Sequence, residues 1–332
     1  MKTKAAVLRN IGGPLVIEEL EIPQLGFGQV LVKILYSGLC RSQLNEINGW
    51  KGGDYIPHLL GHEASGEVLE IGDSVSKVRP SDFVVCSWIK GAGLDAPLIK
   101  YRASDGSVVN AGAVATFSQY AVISENRLVS ISRKIGGEVA ALLGCAVPTG
   151  AGIIDYSDIP LGSKLAVFGI GGIGASALLQ AISLNIRCFA IDVEDWKLHW
   201  AAVRGAIAVH FDHVKKYAPF DFAIECSGSK TAMETAIGLT KDDGAIVIAG
   251  NLKPGEKIAI DPFELIKGKK LRGTWGGGCF LDKDIPRYAT DYLNGCLPLE
   301  KLITKVYSFD QINLGLQELE EGKLIRGIVK IF

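Results

Sequence analysis

Two groups of residues in this 332-residue chain have the types and spacing to do chemistry. The first is Gly169-Ile170-Gly171-Gly172-Ile173-Gly174, which satisfies G-x-G-x-x-G. Glycines there allow a tight turn and let backbone approach a pyrophosphate closely. A helix starting at the turn adds free N–H groups and the positive end of its dipole. Alone the motif is a weak signal, because glycine-rich turns are common. Its context strengthens it, with the apolar run Leu165–Phe168 before it and an Ala/Leu-rich helical segment after it. Asp192 follows Gly171 by twenty-one residues, at the end of the next apolar run, Cys188–Ile191. A carboxylate there accepts hydrogen bonds from the adenosine ribose hydroxyls and repels a 2′-phosphate, which favours NAD over NADP. Lys197, five residues on, is placed to add a donor to the same ribose. The bland reading of the turn, a plain strand-to-helix connection, leaves the acid unexplained.

The second group is Cys40, His62 and Cys145. Thiolate and imidazole suit zinc, and three protein ligands leave a fourth position open for water or substrate. No short C-x-x-C spacing announces such a site. A lone Cys is most often a small buried hydrophobe, and a lone His a hydrogen-bonded core or surface residue. Residue type alone therefore does not carry the metal.

The elements that must position these residues fall into two rhythms. The first third alternates short β-rich runs (Ala5–Arg9, Gln29–Tyr36, Ala64–Gly72, Asp82–Cys86) with Gly, Pro and Asp punctuation. That pattern predicts a mostly antiparallel, barrel-like domain. From about Val147, buried strands at 165–168, 188–191, 222–225 and 245–249 are separated by segments of helical period such as Ala175–Ser183 and Lys197–Arg204. Alternating β and α predicts a doubly wound parallel sheet. The apolar tail Leu324–Phe332 reads as a last strand able to rejoin the first domain.

Composition narrows the function classes. Lys and Arg (35) nearly cancel Asp and Glu (36), so no net field draws nucleic acid or an anionic membrane. The N-terminus lacks the apolar core and cleavage site of a signal peptide, and seven scattered cysteines fit a reducing compartment; both favour the cytoplasm. Leu165–Ile186 carries no charge and is long enough to span a bilayer, but four glycines in six positions make it a strand-to-helix turn instead.

With Ser37-Gly-Leu-Cys-Arg-Ser42, Gly61-His62-Glu63-Ala-Ser-Gly66, Thr116–Tyr120, Gly144-Cys145-Ala-Val-Pro-Thr149-Gly150, the glycine turn, Ser308–Asn313 and Gly322–Arg326 in this order, the chain resembles the zinc-dependent alcohol dehydrogenases of the medium-chain dehydrogenase/reductase family. The match runs through nearly the whole chain. It implies an α/β protein with a GroES-like, mostly-β catalytic domain (1–147 and 278–332) and a Rossmann NAD-binding domain (148–277), with zinc at the floor of a cleft. It implies that Cys40, His62 and Cys145 hold the catalytic zinc, and that Glu63 stands beside the metal in some states and ligates it in others. Ser42 would take the substrate proton, Thr149 would line the nicotinamide pocket, and Arg41 and Arg326 would hold the pyrophosphate. Trp88 and Trp50 match positions lining a substrate pocket, although either could simply pack the core. A Lewis acid at such a site lowers the pKa of an alcohol, and hydride then passes to the nicotinamide.

The chain departs from those relatives at three places. The lobe that holds a structural zinc in many of them, with four close cysteines, is absent after Cys86, so one zinc is expected. Gln43 stands where an aspartate often supports the ligand histidine. Its carbonyl is expected to accept from His62, and its lack of charge to weaken zinc, with a carboxylate in its place holding zinc more tightly. Asn45 stands where a relay histidine occurs in some relatives, so no inflection near the usual histidine pKa of about 6.5 is expected in the activity. The competing readings are a zinc-independent quinone or enoyl reductase on the same scaffold and a catalytically idle NAD-binding sensor. The resemblance also suggests a homodimer or homotetramer, with Ile246–Ala249 and Leu271–Thr274 near the sheet edge. The expected substrate is a primary or secondary alcohol or a polyol, or the matching aldehyde or ketone.

Overall fold

The computed structural model describes residues 1–332. The chain divides into two compact units: Met1–Cys145 with Phe280–Gly295 and Leu299–Phe332, and Ala146–Cys279 with Cys296–Pro298.

In the first unit a small closed barrel runs Lys2–Leu8, Val16–Glu21, Lys100–Ala103, Val108–Asn110, His58–Leu59 and back to the first strand. A seven-stranded sheet follows the order Leu128–Ser130, Phe83–Ser87, Glu63–Ile71, Gln29–Leu39, Arg326–Lys330 and Ile303–Ser308, with Tyr120–Ser124 also paired to Gln29–Leu39. Val30, Leu31, Val32 and Ile34 of that long strand belong to one apolar core with Val68, Val84 and Ile123, and Leu31 shows that the strand is covered on both faces. The tail strand is Arg326–Lys330, and it does join the first unit. It pairs antiparallel to Gln29–Leu39 with Gly327 opposite Leu39, so the next step of the register brings Arg326 level with Cys40.

The second unit holds six parallel strands in the order Ile207–His210, Arg187–Asp192, Lys164–Phe168, Phe220–Glu225, Thr240–Ile248 and Lys270–Gly273. In chain order this is 3-2-1-4-5-6, whose switch point lies beside Lys164–Phe168, where the glycine turn begins. Lys270–Gly273 is the edge strand, and Thr240–Ile248 is second from it.

Helix starts fall earlier than periodicity predicts. The helix expected from Ala175 begins at Gly172, and the one expected from Lys197 begins at Asp195. First-turn residues make no intrahelical N–H bond, so glycine is tolerated there and Asp195 favours the dipole. The charge-free stretch 165–186 is a strand, the turn and a 12-residue helix, and no helix is long and apolar enough to cross a membrane.

Candidate functional site

The metal donors come from three places in the first unit. Cys40 ends the long strand and precedes helix Arg41–Ile47, His62 and Glu63 open the strand at Glu63–Ile71, and Cys145 follows helix Gly137–Leu142. One ligand atom each from Cys40, His62, Glu63 and Cys145 lies within 4.8 Å of all the others. Glu63 is fully buried, and Gly38 makes room for it: a Cβ on Gly38 would stand 2.6 Å from the Glu63 carboxyl carbon. Ser37 Oγ donates to the Glu63 carbonyl at 3.0 Å and is 2.7 Å from Thr116 Oγ1, so the strand start is anchored from behind.

Electrostatics separate Cys40 from the other buried cysteines. The hydrogen bond between the two sulfurs is the main cause holding the Cys40 thiol well below its usual range, with His62 and Arg326 adding to it against burial. The same bond, with burial, pushes Cys145 the other way, while the Trp88 indole draws it back. Cys86, buried on an apolar strand with no such partner, is pushed up by burial alone, and Cys188 is pushed up to about 12 for the same reason. A metal takes thiolates, and of these four cysteines only Cys40 is shifted toward that form.

Arg326 is buried, and its guanidinium lies against the Glu63 carboxylate and near Cys40. Arg41, by contrast, is exposed. Ser42 Oγ is buried and has no hydrogen-bond partner, as has Thr149 Oγ1 in helix Ala146–Asp155 of the second unit. Trp50 is half-buried in the turn after helix Arg41–Ile47, its backbone N–H donating to the Asn45 carbonyl at 2.9 Å. Trp88 is half-buried, beside Cys145.

The structure corrects the expected hydrogen bonding of Gln43. Its Oε1 accepts the Cys40 N–H at 2.6 Å, and it is the amide nitrogen, not the carbonyl, that stands 2.9 Å from His62 Nδ1. The backbone N–H of Cys40 is an obligatory donor at a helix start, and it takes the oxygen first.

In the second unit the glycines of the turn divide their work. Gly169 has φ +85 and a Cβ there would stand 2.7 Å from Ser227. A Cβ on Gly174 would stand 2.0 Å from the Gly169 carbonyl oxygen, so this glycine serves helix–strand packing. Gly171 is different: its φ is −91 and a Cβ would meet nothing within 4 Å. The protein's own packing does not need that glycine, and the open space in front of it fits a pyrophosphate. Asp192 Oδ2 accepts the Ile170 N–H at 2.6 Å, and Oδ1 accepts from Val193 at 2.8 Å and Glu194 at 3.1 Å. The acid thus braces the turn as well as standing at the strand tip. Lys197 is half-buried, with its ammonium 5.6 Å from the Trp196 ring centroid.

Sequence reading missed the device that secures the segment after Phe83–Ser87. Trp88–Ile99 has almost no regular structure, yet it is tied down by Glu125, which is fully buried. One Glu125 oxygen accepts the N–H of Leu94 at 2.6 Å, and the other those of Ser76 and Lys77 at 2.6 and 2.7 Å.

Comparison with known proteins agrees with this geometry. Residues 26–133 match the family described as "Alcohol dehydrogenase GroES-like domain", and residues 172–294 the family described as "Zinc-binding dehydrogenase". An NDMA-dependent alcohol dehydrogenase of Amycolatopsis methanolica is 32% identical, covering 99% of each chain. An S-(hydroxymethyl)glutathione dehydrogenase of Photobacterium damsela subsp. piscicida is 29% identical over 99% of this chain and 100% of its own. The crystal structure of benzyl alcohol dehydrogenase from Acinetobacter calcoaceticus superposes with a TM-score of 0.90 at 26% identity, covering all of both chains. The chain belongs to the zinc-type alcohol dehydrogenases of the medium-chain dehydrogenase/reductase family.

Proposed function

We propose that this protein is an NAD-linked alcohol dehydrogenase carrying one catalytic zinc and no structural zinc, interconverting a small alcohol and its aldehyde or ketone. The observation that carries the reading is the convergence of Cys40, His62, Glu63 and Cys145 on one point, with ligand atoms within 4.8 Å of one another. Two thiols, an imidazole and a carboxylate form a donor set that suits zinc. Zinc held there supplies a Lewis acid for the substrate oxygen, and a nicotinamide supplies the hydride acceptor or donor.

The chain's own residues do the rest. Ser42 Oγ, buried with its hydrogen-bonding capacity unspent, takes the proton of the substrate hydroxyl and passes its own outward. Asn45 has no titrating group, so the proton leaves through hydroxyls and water. Gly171 and the first turn of helix Gly172–Ser183 receive the pyrophosphate, and Asp192 and Lys197 the ribose. Arg41 is exposed and available to the pyrophosphate, whereas Arg326 is held by Glu63. Thr149 Oγ1 offers an unspent polar atom to the nicotinamide. Trp50 and Trp88 supply apolar walls suited to a small or flat alcohol, in keeping with the benzyl alcohol named for a relative.

Metal analysis together with nicotinamide absorbance over a panel of alcohols and aldehydes tests this reading, with NDMA as a second acceptor because one relative depends on it. The reading expects about one zinc per chain and turnover with NAD. A zinc-free chain that reduces enones would instead mark a quinone-type reductase, and one with neither metal nor turnover an idle sensor.

A further inference from the structure

The Gln43 amide is committed at both ends. A backbone N–H only donates, so the oxygen must be the atom facing Cys40, 2.6 Å away. The NH2 group then faces His62 Nδ1 at 2.9 Å. Gln43 is fully buried, in the first turn of helix Arg41–Ile47, and its own N–H returns to the Cys40 carbonyl at 3.0 Å. An amide NH2 only donates, so Nδ1 must accept, and the single ring proton of a neutral His62 sits on Nε2. With Nδ1 taken up by Gln43, Nε2 is the ring nitrogen left to ligate a metal. Metal ligation through Nε2 requires the reverse arrangement: a lone pair on Nε2 and a proton on Nδ1, donated to an acceptor behind the ring.

We propose that Gln43 is a positioning residue that latches His62 in the tautomer unable to bind metal. Metal enters only as the amide turns over, its oxygen moving to the His62 Nδ1–H and releasing the Cys40 N–H. The inference rests on the reading that Cys40, His62 and Cys145 hold a metal. It replaces simple loss of charge as the reason that Gln43 weakens the site, because the cost lies in one amide asked to serve two donors. A glutamate at 43 has two acceptor oxygens, one for each donor, and needs no turn.

Two-bond proton–nitrogen spectra of 15N-histidine protein read the tautomer directly, with the His62 signals assigned by loss in His62→Asn. The metal-free wild type is expected to show the Nε2–H form of His62, and metal-free Gln43→Glu the Nδ1–H form. Competition for zinc against a chromophoric chelator is expected to show Gln43→Glu retaining zinc about 10–100-fold more tightly. An Nδ1–H form in the metal-free wild type overturns the inference, and so does equal zinc affinity of the two proteins. If neither protein takes zinc, the metal-site reading fails, while the wild-type tautomer still decides what Gln43 does.

Discussion

Replacing the glycines of the turn one at a time by alanine separates the residue that serves the ligand from those that serve the fold. At Gly174 the added Cβ would stand 2.0 Å from a backbone oxygen and 3.3 Å from Val167 Cγ1, so helix and strand must part. Overpacking of this kind costs about 1–3 kcal/mol, more than the roughly 1 kcal/mol that alanine gains over glycine in a helix. At Gly169 the positive φ adds about 1–2 kcal/mol of strain to the contact with Ser227. At Gly171 neither penalty applies, and the loss of glycine at the helix N-cap should cost no more than about 1 kcal/mol. The same methyl occupies the open space assigned to the pyrophosphate and should weaken nicotinamide cofactor binding at least about tenfold, or about 1.4 kcal/mol. Thermal unfolding without nucleotide gives the first quantity, and NADH titration the second. A Gly171→Ala protein that unfolds as early as Gly174→Ala and binds NADH like the wild type would overturn this division of roles.

Other substitutions probe the remaining parts. Ser42→Ala should leave the unfolding temperature unchanged, since the hydroxyl has no partner to lose, and lower turnover by about 10²–10⁴-fold; undiminished turnover removes Ser42 from the proton path. Glu125→Gln should cost about 2–3 kcal/mol, because its NH2 must face either the Leu94 N–H or those of Ser76 and Lys77. Those N–H bonds hold the Glu125 carboxyl below its usual range against burial, so its contribution is full above the unfolded carboxylate pKa of about 4.3 and lost as pH falls through the lower folded value. Unfolding measured against pH should therefore show a smaller acid sensitivity in the Gln variant. Asp192→Asn should reduce the preference for NADH over NADPH and also loosen the turn, since the carboxylate receives the Ile170 N–H; an unchanged cofactor ratio by titration contradicts the ribose assignment.

What could be read from sequence was what is encoded locally. The glycine turn, its flanking strand and helix, and Asp192 lie within one βαβ unit, so their spacing carried their geometry. Cys40, His62 and Cys145 sit at loop and strand ends far apart in the chain, and their convergence was legible through the family resemblance rather than through spacing. Two features had no local signature at all. The pairing of Arg326 with Glu63 joins residues 263 positions apart, through the register of Arg326–Lys330 on Gln29–Leu39. The direction of the Gln43 amide depends on which neighbour claims its oxygen, and only the start of helix Arg41–Ile47 settles that in favour of Cys40. Glu125 escaped notice because its three backbone donors come from two separate loops.

The proposed reaction depends on Cys40, His62 and Cys145 holding one zinc ion. Zinc content by elemental analysis, taken alongside NAD-linked alcohol oxidation through stripping by chelator and stoichiometric return, tests it most directly. About one zinc per chain is expected, with activity that falls with the metal and returns with it, and neither in Cys145→Ala. Full activity in a chain from which all zinc has been removed would contradict it.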